Sequence, residues 1–352
     1  MGRPVIEVRT YEEDSATVAD FTRRVWSGRY DLTIPVIDWN PQYFEWQLLT
    51  GLPGARDFLV AAYDGTKLVG TLFAERMPFQ LRGAPIEATM GSWLTVDPDY
   101  RGQGIAQRLA EEQRVRHRAR DAKFMLGFGV LGTDGPKFWQ ARPDTVVLGT
   151  VGFWVRMFDY RRVAAWSPSW QERLTAWLAG PFYSGAPAAP DAPELRPYQP
   201  HDLEACLGLA EAIEGDAELG YRWSAPRLAH QLAGPHLPRT WVYAKDGVVE
   251  GFLNYYLIDM KGRTNMSIAV IDLMAFGKLE KPQQKRLVAR AMRAMAEEGA
   301  GLAMSLKVPT RYDSTLWSAG FAPTPKGSNF LCTVADPSLD LAGVRRLHVH
   351  WR

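Results

Sequence analysis

The sequence predicts a tandem α+β protein: two copies of one plan, each a twisted, mostly antiparallel mixed sheet flanked by helices. Three observations carry that reading. An internal repeat places a similar β-hairpin early in each half, a glycine-bearing strand-to-helix junction marks the first half, and a Pro/Ala-rich stretch separates the two. A chain of 352 residues exceeds one core of this class and suits two.

In chain order, Phe58–Gly65 and Lys67–Phe73 alternate apolar and polar residues around a tight turn, the pattern of a hairpin. Ile86–Trp93 continues the sheet, and period-two alternation predicts Glu87, Thr89, Gly91, Trp93 and Thr95 on one face. A helix follows the glycine junction and ends in the basic run Arg114–Arg120, where Glu112 is spaced to pair with Arg116. The apolar strand Phe124–Phe128 comes next, and Gly152-Phe153 leads into a closing strand. The second half repeats the order: a hairpin from Trp241–Gly247 and Val248–Leu253, a strand Val270–Phe276, a helix, a strand Leu302–Leu306, then Gly320-Phe321 before its closing strand. Between the halves, Trp170–Leu178 shows helical spacing behind a Ser169 N-cap. It is expected to be a connecting helix with Trp170, Leu174 and Trp177 packed on a domain. The linker Gly180–Pro193 follows, so the predicted divisions are 1–162, 163–193, 194–340 and a tail, 341–352.

Composition narrows the function. With 46% hydrophobic and 23% charged residues the chain has ordinary globular composition, and a net charge of +2 argues against the concentrated basic face that nucleic acid or a membrane surface requires. Cys206 and Cys332 are too few to staple the chain, so free thiols and a reducing, cytoplasmic setting are expected. No apolar run reaches membrane-spanning length. His348 and His350 lack a third ligand nearby, which favours a solvated tail over a metal site; no metal is expected.

The chemistry concentrates in Val96-Asp97-Pro98-Asp99-Tyr100-Arg101-Gly102-Gln103-Gly104-Ile105-Ala106. Glycines there let consecutive N–H groups converge on an anion, the following helix adds its positive end, and Arg101 adds a guanidinium, while Asp97 suits loop capping. The order Arg101-x-x-Gly104-x-Ala106 after Leu94-Thr95-Val96 resembles the acyl-CoA diphosphate loop of the Gcn5-related N-acetyltransferase (GNAT) superfamily. That resemblance implies two tandem acyl-CoA N-acyltransferase folds. It implies that Leu94, Thr95 and Val96 hold the pantetheine arm and that Arg101, Gly102, Gln103, Gly104, Ile105 and Ala106 hold the diphosphate of acetyl-CoA or a longer acyl-CoA. The second half reads Gly277-Lys278-Leu279-Glu280-Lys281-Pro282 at the corresponding place, where a carboxylate repels phosphate and proline removes a donor. It is expected to be a degenerate copy that binds no CoA.

The resemblance implies transfer of the acyl group to an amine of a small molecule or a peptide. Glu87 and Glu75 are the expected bases, with an exposed strand-start carboxylate as the plain alternative for Glu87. The terminal carboxylate of Arg352 is a third, since some tandem proteins of this superfamily use theirs. Trp139 stands where the family often places a tyrosine acid. The aromatic stretch Asp38–Trp46 suits an acceptor-side wall or core equally. A non-catalytic acyl-CoA-binding or scaffold protein is the rival reading, and the oligomeric state is open.

Overall fold

The computed structural model describes residues 5–30, 33–188, 192–308 and 312–351. The first half runs β1 (Ile6–Thr10), α1 (Ser15–Tyr30), β2 (Val36–Ile37), α2 (Pro41–Gln47), β3 (Leu59–Asp64), β4 (Lys67–Leu81), β5 (Ala84–Val96), α3 (Ile105–Ala119), β6 (Phe124–Val130), α4 (Asp134–Gln140) and β7 (Thr145–Met157). A helical hairpin follows, α5 (Tyr160–Trp166) and α6 (Trp170–Tyr183). The second half runs β8 (Leu195–Pro197), α7 (Leu203–Glu214), β9 (Leu219–Tyr221), α8 (Ala225–Ala233), β10 (Pro238–Lys245), β11 (Val248–Lys261), β12 (Asn265–Ala275), α9 (Lys281–Glu297), β13 (Leu302–Lys307), α10 (Asp313–Ser318), β14 (Ala322–Pro323), β15 (Ser328–Val334) and β16 (Leu347–His348).

The repeat is real in element order, but the closing strands are exchanged. Strand order is β1-β3-β4-β5-β6-β15-β7-β13-β12-β11-β10-β8. β15 pairs with β6 of the first half through Phe330↔Phe128, and β7 leaves that sheet at Val151 to pair with β13 through Met304↔Val155. Gly152-Phe153 therefore lies inside β7, at the crossing between two sheets, rather than before a strand that closes its own half. Segments 1–162 and 194–340 share their hydrogen-bond ladders, and one apolar core joins Phe79, Met90 and Phe124 to Tyr221, Phe252 and Leu273.

Two further expectations change. The face containing Glu87 does not run on to Thr95, because Phe73 pairs with Ser92 while Thr71 pairs with Thr95, leaving one extra residue on β5. The bulge centres on Trp93 at φ 59°, a left-handed conformation that costs a bulky residue about 1–3 kcal/mol. Burial of its indole against Trp39 (5.4 Å), Phe44 (5.7 Å) and Tyr43 (6.0 Å) offsets that cost. Those same residues show that the Asp38–Trp46 aromatics are core and not an exposed acceptor wall, since Trp39, Tyr43, Phe44 and Trp46 are all buried. The second correction concerns α6, whose Trp170, Leu174 and Trp177 face solvent.

Candidate active site

The first half contains a fork. β5 and β6 pair in parallel only at Thr89↔Met125 and Met90↔Leu126, then part. The sequence builds the divergence with glycines: a Cβ on Gly91 would lie 2.3 Å from Met125 Sδ, and one on Gly127 would lie 3.0 Å from the Gly91 carbonyl oxygen. Behind the fork, His117 of α3 is buried and hydrogen-bonds Thr89 Oγ1 at 2.8 Å and the Gln113 carbonyl at 2.7 Å. Burial pushes its pKa down to about 4, so the ring is neutral at pH 7, with Nδ1–H donating to Gln113 and Nε2 accepting from the threonine.

Beyond the fork opens a cleft of about 150 Å³. Leu94, Thr95, Val96 and Arg101 line it, and Trp26 of α1, Phe128 of β6 and Leu331 of the exchanged β15 close it. Trp26 Nε1–H donates to Thr95 Oγ1 at 2.9 Å, which ties α1 across the strand. Trp139 lines the same cleft, so an indole stands there in place of a phenol.

The loop that follows has the shape of an anion cradle. Gly102 and Gly104 both adopt φ 75°, a conformation side chains resist, and Gly104 is the N-cap of α3. The first intrahelical bond runs from Arg108 N–H to the Gly104 carbonyl, so the N–H groups of Ile105, Ala106 and Gln107 precede the ladder and point toward the loop. Ile105 itself is buried, Gln103 and Ala106 are half-buried, and Arg101 is exposed. Asp97 caps the turn by accepting from Asp99 N–H at 3.1 Å. Burial raises that carboxyl's pKa, but the Asp99 N–H, Arg24 at 3.0 Å and Lys67 at 3.5 Å outweigh it and hold the group below its usual range.

The second half carries a matching fork in which β12 and β13 pair in parallel as far as Ile271↔Ser305. It opens on a larger cleft of about 590 Å³, and the chain's own last residues line it. β16 pairs with β9 in parallel, drawing the tail into the molecule. The solvated tail expected from His348-x-His350 is thus corrected: His350 is 2% exposed, His348 is half-buried, and Trp351 meets Phe153 at 5.3 Å. His350 Nδ1 lies 3.5 Å from Asp272 Oδ2, itself buried and receiving a 2.8 Å hydrogen bond from Gln231 Nε2. The imidazole packs on Tyr221 (4.8 Å) and Trp223 (5.3 Å). Among the described residues no group of three or more His, Cys, Asp or Glu is gathered as for a metal.

The two expected bases lie elsewhere. Glu75 is paired with Arg227 at 2.5 Å, and Glu87 with Arg76 at 3.1 Å; both line a third cleft, of about 330 Å³, and neither borders the fork. Glu87 lies on β5 before its pairing with β6 at Thr89 and Met90, on the closed side of the fork. Arg352 lies outside the described residues. Sequence reasoning missed Asp272 and the burial of His350; the His-x-His spacing was the available signal, and pairing with Asp272 is what it lacked. Cys206 and Cys332 are buried free thiols, with Cys206 pushed up to about 12 by burial and Cys332 also raised.

At the α3 loop the family becomes visible. A model of the acetyltransferase (GNAT) domain matches residues 10–133, which contain the fork, Arg101, Gly104 and Ala106. That stretch, about a third of the chain, is similar to a GNAT acetyltransferase domain. Its whole length superposes on a crystal structure of Saccharomyces cerevisiae N-myristoyltransferase with bound myristoyl-CoA, at TM-score 0.76 and 15% identity, covering 100% of this chain and 91% of that one. A second structure of that yeast enzyme with myristoyl-CoA gives 0.75 at 16% identity over 94% and 79% of the chains, and one that also holds inhibitors gives 0.74 at 16% over 100% and 88%. No curated protein matches by sequence. These likenesses establish a shared tandem GNAT-type fold.

Proposed function

We propose that this protein is an acyl-CoA-dependent N-acyltransferase, with the donor in the first fork and the acceptor amine in the second. The observation that carries the reading is the β5–β6 fork opening onto an unobstructed cradle at Gly102–Gln107. Parted strands leave backbone groups for an amide-bearing arm, and the helix start offers N–H groups to a diphosphate. The apolar lining from Trp26, Leu94, Phe128 and Leu331 favours a donor with a chain longer than acetyl. The neighbours with bound myristoyl-CoA support the same choice.

Transfer requires a neutral amine to attack the thioester carbon, after which the carbon–sulfur bond breaks and CoA departs as a thiol. Asp272 and His350 suit the first need. A neutral imidazole accepts the amine's proton as attack proceeds, and the adjoining carboxylate stabilises the resulting imidazolium. Asp313 and Tyr312 on the same wall suit a cationic peptide terminus or a small amine entering from water. In keeping with its two buried thiols we place the protein in the cytoplasm.

Thiol release measured across a panel of acyl-CoAs from acetyl to myristoyl, with peptide and small amines, tests the reading; turnover rising with chain length is the expected result. One observation favours a second reading, a non-catalytic acyl-CoA binder: the cleft has a tryptophan, Trp139, where an acid would stand. Saturable calorimetric binding without turnover would support the binder and overturn the enzyme.

A further inference from the structure

The outward face of α6 has no role in the donor or acceptor clefts, yet it is the most apolar surface among the described helices. Trp170, Leu174, Trp177, Leu178 and Phe182 follow the spacing i, i+4, i+7, i+8, i+12 of one helical face, and they are 49–83% exposed. Soluble proteins expose large apolar side chains singly; a continuous stripe marks an interaction surface. The helix does not hang loose. Its opposite side is seated through buried Ala176 and Gly180, where a Cβ on Gly180 would lie 2.3 Å from Tyr160 Cβ. The Tyr160 ring also meets Trp177 edge-on at 5.5 Å.

We infer that this face docks the protein on an anionic lipid membrane, with α6 lying in the plane of the interface. Charge selects the occupant. Arg161, Arg162 and Arg173 in the hairpin, with Lys261 and Arg263 beside it, outnumber Asp159 and Glu172. Arg161 Nε donates to the Tyr160 hydroxyl at 3.3 Å, which puts a guanidinium next to the ring that Trp177 meets. Arg263 N–H bonds the Trp166 carbonyl at 2.8 Å, which places it at the end of α5 beside the hairpin turn. Asp159 caps the Arg161 and Arg162 N–H groups and Glu172 accepts from Ser167 Oγ, while Arg162 and Arg173 reach the Gly299 and Pro168 carbonyls, so five cations to two acids leave the hairpin and its edge net positive. An aromatic-rich apolar stripe flanked by cations is the chemistry of interfacial helices, in which indole and phenol rings sit at the headgroup level and Arg and Lys meet anionic lipid. A second copy of the chain fits less well, because a two-fold contact would set the same cations against each other. The net charge of the whole chain conceals this local patch. The inference stands apart from the acyl-transfer reading and does not depend on it.

The test is co-sedimentation of the full chain with vesicles of equimolar phosphatidylglycerol and phosphatidylcholine, against vesicles of phosphatidylcholine alone. The anionic vesicles should bind it at least about tenfold more strongly at low salt, with loss on raising salt. Leu178→Asp with Phe182→Asp should abolish binding, and Arg161→Gln with Arg263→Gln should weaken it while leaving the thermal unfolding midpoint in place, because all four side chains are exposed. A wild-type chain that stays in the supernatant with both vesicles overturns the inference. So does binding that survives Leu178→Asp with Phe182→Asp, or a wild-type dimer in sedimentation equilibrium that the same pair dissociates in the absence of lipid.

Discussion

The two strand-to-helix loops of this molecule hold the same place in the same fold and have opposite chemistry. In the first, Gly102 and Gly104 leave the start of α3 open to an anion. In the second, the N-cap of α9 is Glu280, which forms a capping box with Gln283, whose Oε1 accepts from Glu280 N–H at 2.7 Å; Lys281 turns away to Ser314 at 2.8 Å and Thr315 at 3.0 Å. A carboxylate therefore caps the start of α9. The forks differ in the same sense. The first residue past the last ladder pair is Gly91 in one and Asp272 in the other, so one fork opens beside a glycine and the other places a charge beside the chain's own tail. A repeated fold supplies two openings, and a few side chains give them different chemistry; in the proposed reading the first holds the donor and the second acts on the acceptor.

The sharpest break in that comparison would come at the base. His350→Gln is expected to lower kcat by about 10²–10⁴, the scale of a positioned general base, with CoA affinity unchanged, and Glu87→Gln should stay within about twofold of wild type. If activity instead falls with Glu87→Gln, or only when Arg352 is removed, the second fork does not supply the base. Gly104→Asp follows in size. It should weaken CoA binding at least about 100-fold, near 2.7 kcal/mol by calorimetric titration, in a chain that circular dichroism shows folded. Undiminished affinity would erase the distinction between the loops.

A smaller effect reports on the first fork through pH. Burial lowers the folded-state pKa of His117 below its ordinary value, to about 4, so the unfolded chain binds the proton more readily. Stability from this group is complete above about pH 6.5 and is lost as pH falls toward 4, by about 2 kcal/mol between pH 7 and 5. Urea unfolding should show that loss, and His117→Gln should remove it. The smallest expected change is in the second loop: Lys278→Ala with Lys281→Ala should leave CoA affinity within about threefold, roughly 0.7 kcal/mol. A larger loss would make the second loop a working cradle.

Much of the first fork was legible because its determinants are local. The paired glycines, the Asp97 cap and the Glu112–Arg116 ion pair at 2.8 Å each depend on residues within a turn or two of chain. Glu87 and Glu75 were misread for a reason local patterns do not carry. Glu87 sits before β5 meets β6, on the closed side of a fork that only the sheet pairing creates, and Arg227 from the distant α8 is paired with Glu75.

Local patterning carried the tandem plan, the paired hairpins, the helix behind each loop and the difference between an open and a self-capped loop, because dihedral preference, capping and hydrophobic period act over a few residues. Only the tertiary structure decided which strand closes which sheet. β7 and β15 have the alternating pattern of any half-buried strand, and the choice between a neighbour and a distant partner is made by whole-face packing. The same long-range packing drew the tail inside, brought His350 to Asp272, and left the apolar stripe of α6 uncovered.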